Sequence, residues 1–168
     1  MVVSILIMIS LFWFAVALLN LGYGEPKGTG FIAAAVGLLA IAGGFVDAVF
    51  AVKAGGDLLA GGLLFSHGLL YMAIAYALLY GVENMKTIGN ISLCTAFVST
   101  IYMYVWYVQG NMYLAFMAAG YAVLTYEVWL NFYGKLSGKV VAISLLIWIP
   151  IGLWIPAFLI GMGKPLPF

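Results

Sequence analysis

The sequence contains no arginine, a single histidine, a single cysteine and only six basic residues, all of them lysine, against five acidic ones. Without a basic patch there is no electrostatic footprint for nucleic acid, and no nucleic-acid partner is expected. One histidine and one cysteine cannot make a clustered ligand set, and neither a Walker loop nor an HExxH pair occurs, so no metal, no cofactor and no catalytic constellation are expected. An enzyme is not the expected class. Cys94 can form no intrachain disulfide and, lying inside an apolar run, reads as a small buried residue. Charge is the scarcest commodity of all: charged residues make up 7% of the chain and hydrophobic ones 67%, which lies outside the range of soluble globular proteins.

The apolar residues fall into blocks long enough to cross roughly 30 Å of hydrocarbon as helices rising about 1.5 Å per residue. The pattern predicts an all-α integral membrane protein, one transmembrane domain over residues 1–168, with helices at approximately 2–21, 31–52, 58–80, 91–108, 112–133 and 140–162. The first block has neither a basic n-region nor a small-x-small cleavage site and is expected to be a retained helix. Lys27, Lys86, Lys135 and Lys139 fall in the first, third and fifth loops, and only Lys53 and Lys164 on the opposite side. The positive-inside rule then places the odd loops in the cytoplasm and both termini outside the cell (inner) membrane.

One turn recurs three times, as "LNLGYGEPKGTG" from Leu19, "LLYGVENMKTIG" from Leu78 and "LNFYGKLSGK" from Leu130. Tyrosine suits the headgroup level, glycine ends a helix, and lysine holds the turn on the inner surface. The nearly even spacing implies six helices arranged as three two-helix hairpins, either by genuine triplication or because inner loops commonly use these residues.

Several helix faces carry candidate features. The second helix aligns Ala33, Gly37, Ala40, Gly44, Asp47 and Ala51, a small-residue stripe that lets a neighbour approach closely. The fourth aligns Ser92, Thr95, Ser99 and Tyr102, either interhelical glue or a wet wall. The first presents Leu6, Ser10, Trp13, Ala17 and Asn20. The third stacks Phe65, Leu69, Met72 and Tyr76, with His67 nearly opposite. The sixth repeats Trp-Ile-Pro in "IWIPIGLWIPAFLI", and its prolines free backbone carbonyls that neighbours or a cavity must satisfy. Three ionisable groups, Asp47, His67 and Glu127, sit in the apolar spans at a cost of roughly 2.5 to 3.5 kcal/mol each, which makes them functional candidates.

The chain resembles the AmiS/UreI family of urea and short-chain amide channels. The resemblance rests on "ALLNLGYGEPKGTGFIAAAVGLLAI", "GLLFSHGLLYMAI", "YAVLTYEVWL" and, most specifically, "LWIPAFLI", which carries a Trp-x-Pro-small signature at Trp154, Pro156 and Ala157. It implies a six-helix protomer in a homo-oligomeric ring, a hexamer, each protomer having its own pore for a small neutral solute such as urea or acetamide. The pore lining it implies is Trp13, Phe65, Leu69, Tyr121 and Trp154, with Asn20, Glu127 and Asp47 as polar pore or network groups. Leu69 and Tyr121 stand where better-known members have a tyrosine and a tryptophan, and Trp148 where the urea channel has an acid.

The function expected is passive permeation of urea or short aliphatic amides. A proton-coupled carrier of a small neutral metabolite using Glu127 and Asp47, or a non-transporting membrane subunit, are the alternatives. The expected outer loops, "KAGGD" and "QGN", hold no histidine, unlike those of acid-gated members. Solute flux through the reconstituted protein is therefore expected not to rise between about pH 7 and about pH 5, the window in which histidines titrate; a steep rise there contradicts the reading.

Overall fold

The structure, a computed structural model, describes residues 2–54 and 58–168, and only the backbone of residues 2 and 50–54. The side chain of Lys53 and most of the "KAGGD" loop thus lie outside the described residues. Helices α1 (Val2–Asn20), α2 (Pro26–Ala54), α3 (Leu58–Tyr80), α4 (Lys86–Val108) and α5 (Met112–Phe132) each run uninterrupted. The sixth span, Gly138–Gly161, is broken into α6 (Gly138–Trp148), a π-helical segment (Ile149–Trp154) and α7 (Ile155–Gly161). All six spans are long and apolar enough to cross a membrane. This follows from the sequence by elimination, since a backbone in hydrocarbon must bond to itself and a helix does so within one segment.

The repeated turn has a stereochemical explanation. Gly22, Gly81 and Gly134 take positive φ of 87°, 65° and 68°. The residue after each donates its N–H to the carbonyl five positions back: Tyr23 to Leu18 at 2.9 Å, Val82 to Ala77 at 3.0 Å and Lys135 to Leu130 at 2.8 Å. These are Schellman caps, which satisfy the carbonyls left over where a helix ends. Gly110 and Gly163 close α4 and α7 in the same way, with Asn111 bonding Trp106 and Lys164 bonding Leu159. The glycine is therefore a device for ending a helix at either face, and the resemblance among the three turns needs no triplication. At the start of α2, Glu25 caps the helix with its carboxylate, accepting the backbone N–H groups of Lys27 and Gly28, just before Pro26 at the first helical position.

Each helix packs on its neighbours in the chain, and the sixth span returns to α1, closing a ring around an interior space. The tightest pairs are α2 with α3 and α4 with α5, so the closest-packed hairpins are those joined opposite the repeated turns. The α2–α3 pair is set by glycine. A Cβ added at Gly44 would stand 2.7 Å from the Gly61 carbonyl oxygen, and one at Gly37 or Gly68 would stand 3.0 Å from the facing backbone carbonyl. Gly37 and Gly44 thus meet Gly68 and Gly61 in antiparallel register, one heptad apart on each helix. In lipid, apolar contact between helices gives little net drive, and such close backbone approach supplies the attraction instead.

The α4–α5 pair uses hydroxyls. Ser92 donates to the Thr125 carbonyl across the interface at 2.8 Å, whereas Thr95 and Ser99 bond back to the carbonyls of Ile91 and Thr95 on their own helix. All three are buried, and none is among the residues lining the two cavities inside the ring. Cys94, expected to be buried, is exposed on the outer face. That face also carries Leu11, Leu38, Phe97, Ile147 and Phe158, the surface a bilayer or a neighbouring copy would cover.

Replacing Gly44 with valine is expected to force α2 and α3 apart. The expected loss is about 1–3 kcal/mol, the usual range for overpacking, read as a lower unfolding midpoint in detergent, while Leu38→Val on the outer face leaves the midpoint in place. Equal midpoints for the two variants would disprove the register.

Candidate functional site

Two apolar cavities lie end to end inside the ring. The larger, about 130 Å³, is walled by Ile5, Leu6 and Ile9 of α1, Leu63 of α3, Met117 of α5 and Leu153 of the sixth span, all toward the face that holds the termini. The smaller, about 40 Å³, lies toward the face of the repeated turns, between Phe12, Val16, Leu70, Ile74, Leu124 and Leu145. Trp13, His67 and Tyr71 border both cavities and so form the neck between them. Tyr121 joins them from the larger cavity.

The four rings are in mutual contact. Trp13 and Tyr121 meet edge to face at 5.8 Å between centroids, His67 and Tyr121 at 5.7 Å, and His67 and Tyr71 at 6.1 Å. These are the separations at which aromatic quadrupoles attract. The Trp13 indole N–H donates to the Tyr71 hydroxyl oxygen at 3.0 Å, bridging α1 and α3. His67 Nδ1 lies 3.0 Å from the Leu63 carbonyl one turn back. A carbonyl can only accept, so Nδ1 carries the proton in the neutral ring and Nε2 is left with its lone pair. His67 is 5% exposed, and its Nε2 has no hydrogen-bond partner among the described residues.

Tyr121 is held by the broken span. In an α-helix the Gly152 carbonyl would accept from residue 156, but Pro156 has no N–H. The Tyr121 hydroxyl donates to that carbonyl instead, at 2.9 Å. Within the π-segment the Ile155 N–H reaches Pro150, five residues back. In that register Pro156 also strands the Ile151 carbonyl, and Tyr113, two turns before Tyr121 on α5, donates its hydroxyl to it at 3.0 Å. The proline in the sequence thus fixes the orientation of a tyrosine at the neck. Behind it, a Cβ at Gly120 would overlap the Trp148 ring, so the glycine makes the slot that Trp148 fills against Phe116.

Of the residues expected to line a pore, Trp13 and Tyr121 come together at the neck. Phe65, Leu69 and Trp154 do not. Phe65 packs edge to face on Phe45 of α2, Leu69 is 47% exposed on the outer face, and Trp154 is 43% exposed there as well. The physical reason for α3 is its glycine line: with Gly61 and Gly68 turned to α2, the stripe of Phe65, Leu69, Met72 and Tyr76 is rotated out of the ring, and Leu63, His67, Leu70, Tyr71 and Ile74 are rotated in. His67 carried the signal, being the one ionisable group of that helix within the apolar span, and such groups face a bundle interior. Tyr71 lies one turn from it.

The other polar candidates border neither cavity. Glu127 lies between α5 and α6, where its Oε1 accepts from Ser144 at 3.0 Å and its buried Oε2 has no partner. Asp47 is half-buried on α2. Asn20 stands at the start of α6, where a Cβ on Gly138 would come within 2.9 Å of its Oδ1. No group of three or more His, Cys, Asp or Glu that could hold a metal occurs among the described residues.

The family model of AmiS/UreI transporters matches residues 1–164. No curated protein matches by sequence. Among solved structures the fold superposes on the Helicobacter pylori urea channel in its closed state, by electron cryomicroscopy, with a TM-score of 0.84 at 18% identity, covering 96% of this chain and 98% of that one. The crystal structure of the urea channel from the same human gastric pathogen superposes equally well, with a TM-score of 0.84 at 17% identity over 97% of this chain and 98% of that one.

If Pro156 is the reason Tyr121 is needed, the two substitutions must be coupled. Tyr121→Phe is expected to cost about 1 kcal/mol of unfolding free energy. In a Pro156→Ala background, where residue 156 again offers an N–H to Gly152, the same change is expected to cost distinctly less. A double-mutant cycle of unfolding in detergent measures the difference, and identical costs in the two backgrounds would mean that the hydroxyl does not serve that carbonyl.

Proposed function

This chain belongs to the AmiS/UreI family of transporters, and we propose that it is a passive channel for urea or short aliphatic amides whose path runs through the two cavities and the aromatic neck. The observation that carries this reading is the adjacency of the cavities: one is lined toward the face of the termini, the other toward the face of the repeated turns, and they share Trp13, His67 and Tyr71. A planar amide stripped of water finds ring faces there and few competing charges, which suits a small neutral solute better than an ion. Room is sufficient in the larger cavity, since about 15 Å³ already admits one water.

We place the constriction at Trp13, His67, Tyr71 and Tyr121, with the glycine-capped turns on the cytoplasmic side, both termini outside and the protein in the inner membrane. The lysine distribution supports that orientation. A homo-oligomeric ring, taken as a hexamer, fits the broad apolar outer face, and each protomer then keeps its own path. Glu127 and Asp47, which a proton-coupled carrier would use, stand away from both cavities, and this favours a channel over a carrier.

In proteoliposomes, urea or acetamide is expected to equilibrate faster than in protein-free vesicles without accompanying proton movement. Trp13→Ala, which removes one ring of the neck and its bond to Tyr71, is expected to change the rate at least several-fold, an indole being among the largest contributors to such contacts. Light scattering reads the flux and an internal pH dye the protons. Uptake no faster than through bare lipid would refute the proposal, and stoichiometric proton entry would turn it into the carrier.

A further inference from the structure

Most hydrogen-bonding groups at the neck are already engaged. The Trp13 N–H is given to Tyr71, the Tyr121 hydroxyl to Gly152, and the His67 Nδ1 proton to Leu63. Two functions remain. One is the lone pair on His67 Nε2, which has no partner. The other is the hydroxyl hydrogen of Tyr71, whose oxygen accepts from Trp13 and which finds no acceptor among the described residues. Around them the walls are apolar.

A histidine placed only for packing would have both nitrogens satisfied, because a bare buried acceptor costs free energy that an isosteric phenylalanine avoids. This one is bare on a ring that borders both cavities. We propose that His67 and Tyr71 form a hydrogen-bonding subsite at the neck that selects solutes bearing an N–H beside a carbonyl, a primary amide or urea, with His67 Nε2 accepting the N–H and the Tyr71 hydroxyl donating to the carbonyl. The subsite rests on the channel reading above and adds to it what apolar rings cannot supply. Rings alone would pass acetamide and a ketone of the same shape alike, whereas a site with an unpaired acceptor disfavours the one that has nothing to donate.

The ring geometry suits the task. His67 and Tyr71 are one helical turn apart on α3, with ring centroids 6.1 Å apart, and both border the two cavities, while Trp13 and Tyr121 contribute their rings from α1 and α5. One His with no other titratable side chain bordering either cavity, tyrosines apart, is a poor metal site and a poor proton wire. A single acceptor beside a single donor is instead the complement of one amide group.

The test uses the full-length chain in proteoliposomes, following exchange of labelled urea at equilibrium, with acetamide or acetone present at equal concentration on both sides. Acetamide is expected to slow the exchange, and acetone, which has the same shape and no N–H, to do so about tenfold less effectively, the scale set by one unpaired buried acceptor. His67→Phe is expected to erase the distinction. His67→Gln, whose amide reaches the place of Nε2, is expected to keep much of it. Acetone matching acetamide against the unaltered protein overturns the subsite and leaves the channel standing, and this comparison decides even if a variant does not fold. Discrimination that survives in His67→Phe also overturns it. Urea exchange no faster than in protein-free vesicles removes the channel and the subsite with it.

Discussion

In a hydrocarbon solvent no backbone carbonyl can be left without a donor, and the sixth span of this protein breaks that rule on its own account. Pro156 withholds the N–H that Gly152 needs, and the π-segment carries the deficit to Ile151. Everything that repairs it comes from α5. Tyr113 and Tyr121 lie two turns apart on one face of that helix, and each spends its hydroxyl on one of the stranded carbonyls. Satisfying the backbone therefore ties two spans together and, in the same act, orients an aromatic ring into the interior. The path through the protein inherits its shape from a repair to its main chain.

A second constraint acts on the opposite side of the ring. The α2–α3 pair approaches so closely at Gly37, Gly44, Gly61 and Gly68 that side chains on any other face of α3 would collide with the α2 backbone. The face it turns inward is decided by where the glycines are. Thus His67 and Tyr71 reach the neck because the glycines of the same helix face α2, just as Tyr121 reaches it because of a proline.

Much of this was legible in the sequence. Six spans followed from block length, and the helix ends from glycine, lysine and tyrosine. The small stripe of α2 was visible as a packing face and Trp13 lay on a face of helix one, while Tyr121 was implied only by the family resemblance. The inward face of α3 was less legible: the family resemblance implies Phe65 and Leu69, whereas Gly61 and Gly68, packed on α2, turn that stripe away from the cavities. Trp154, implied by the same resemblance, ends the π-segment and stands exposed on the outer face, since the extra residue of a π-turn shifts the phase of the side chains that follow it. The tight pairing of α4 with α5 was equally hidden, since Ser92 is one hydroxyl among several and only its reach to Thr125 sets it apart.

The neck is built asymmetrically, like a vice with one fixed jaw. Tyr121 is clamped to a main-chain carbonyl, on a span that Trp148 wedges from behind. Opposite it, the hydrogen bond of Trp13 goes to the Tyr71 side chain and not to a main-chain carbonyl, across two helices that share no extensive packing of their own. One wall of the neck is thus anchored to the main chain and the other by a side-chain pair. A change at the second would need only indole and phenol torsions, movements of the fast side-chain kind, and no shift of the helices that the glycines and the proline hold.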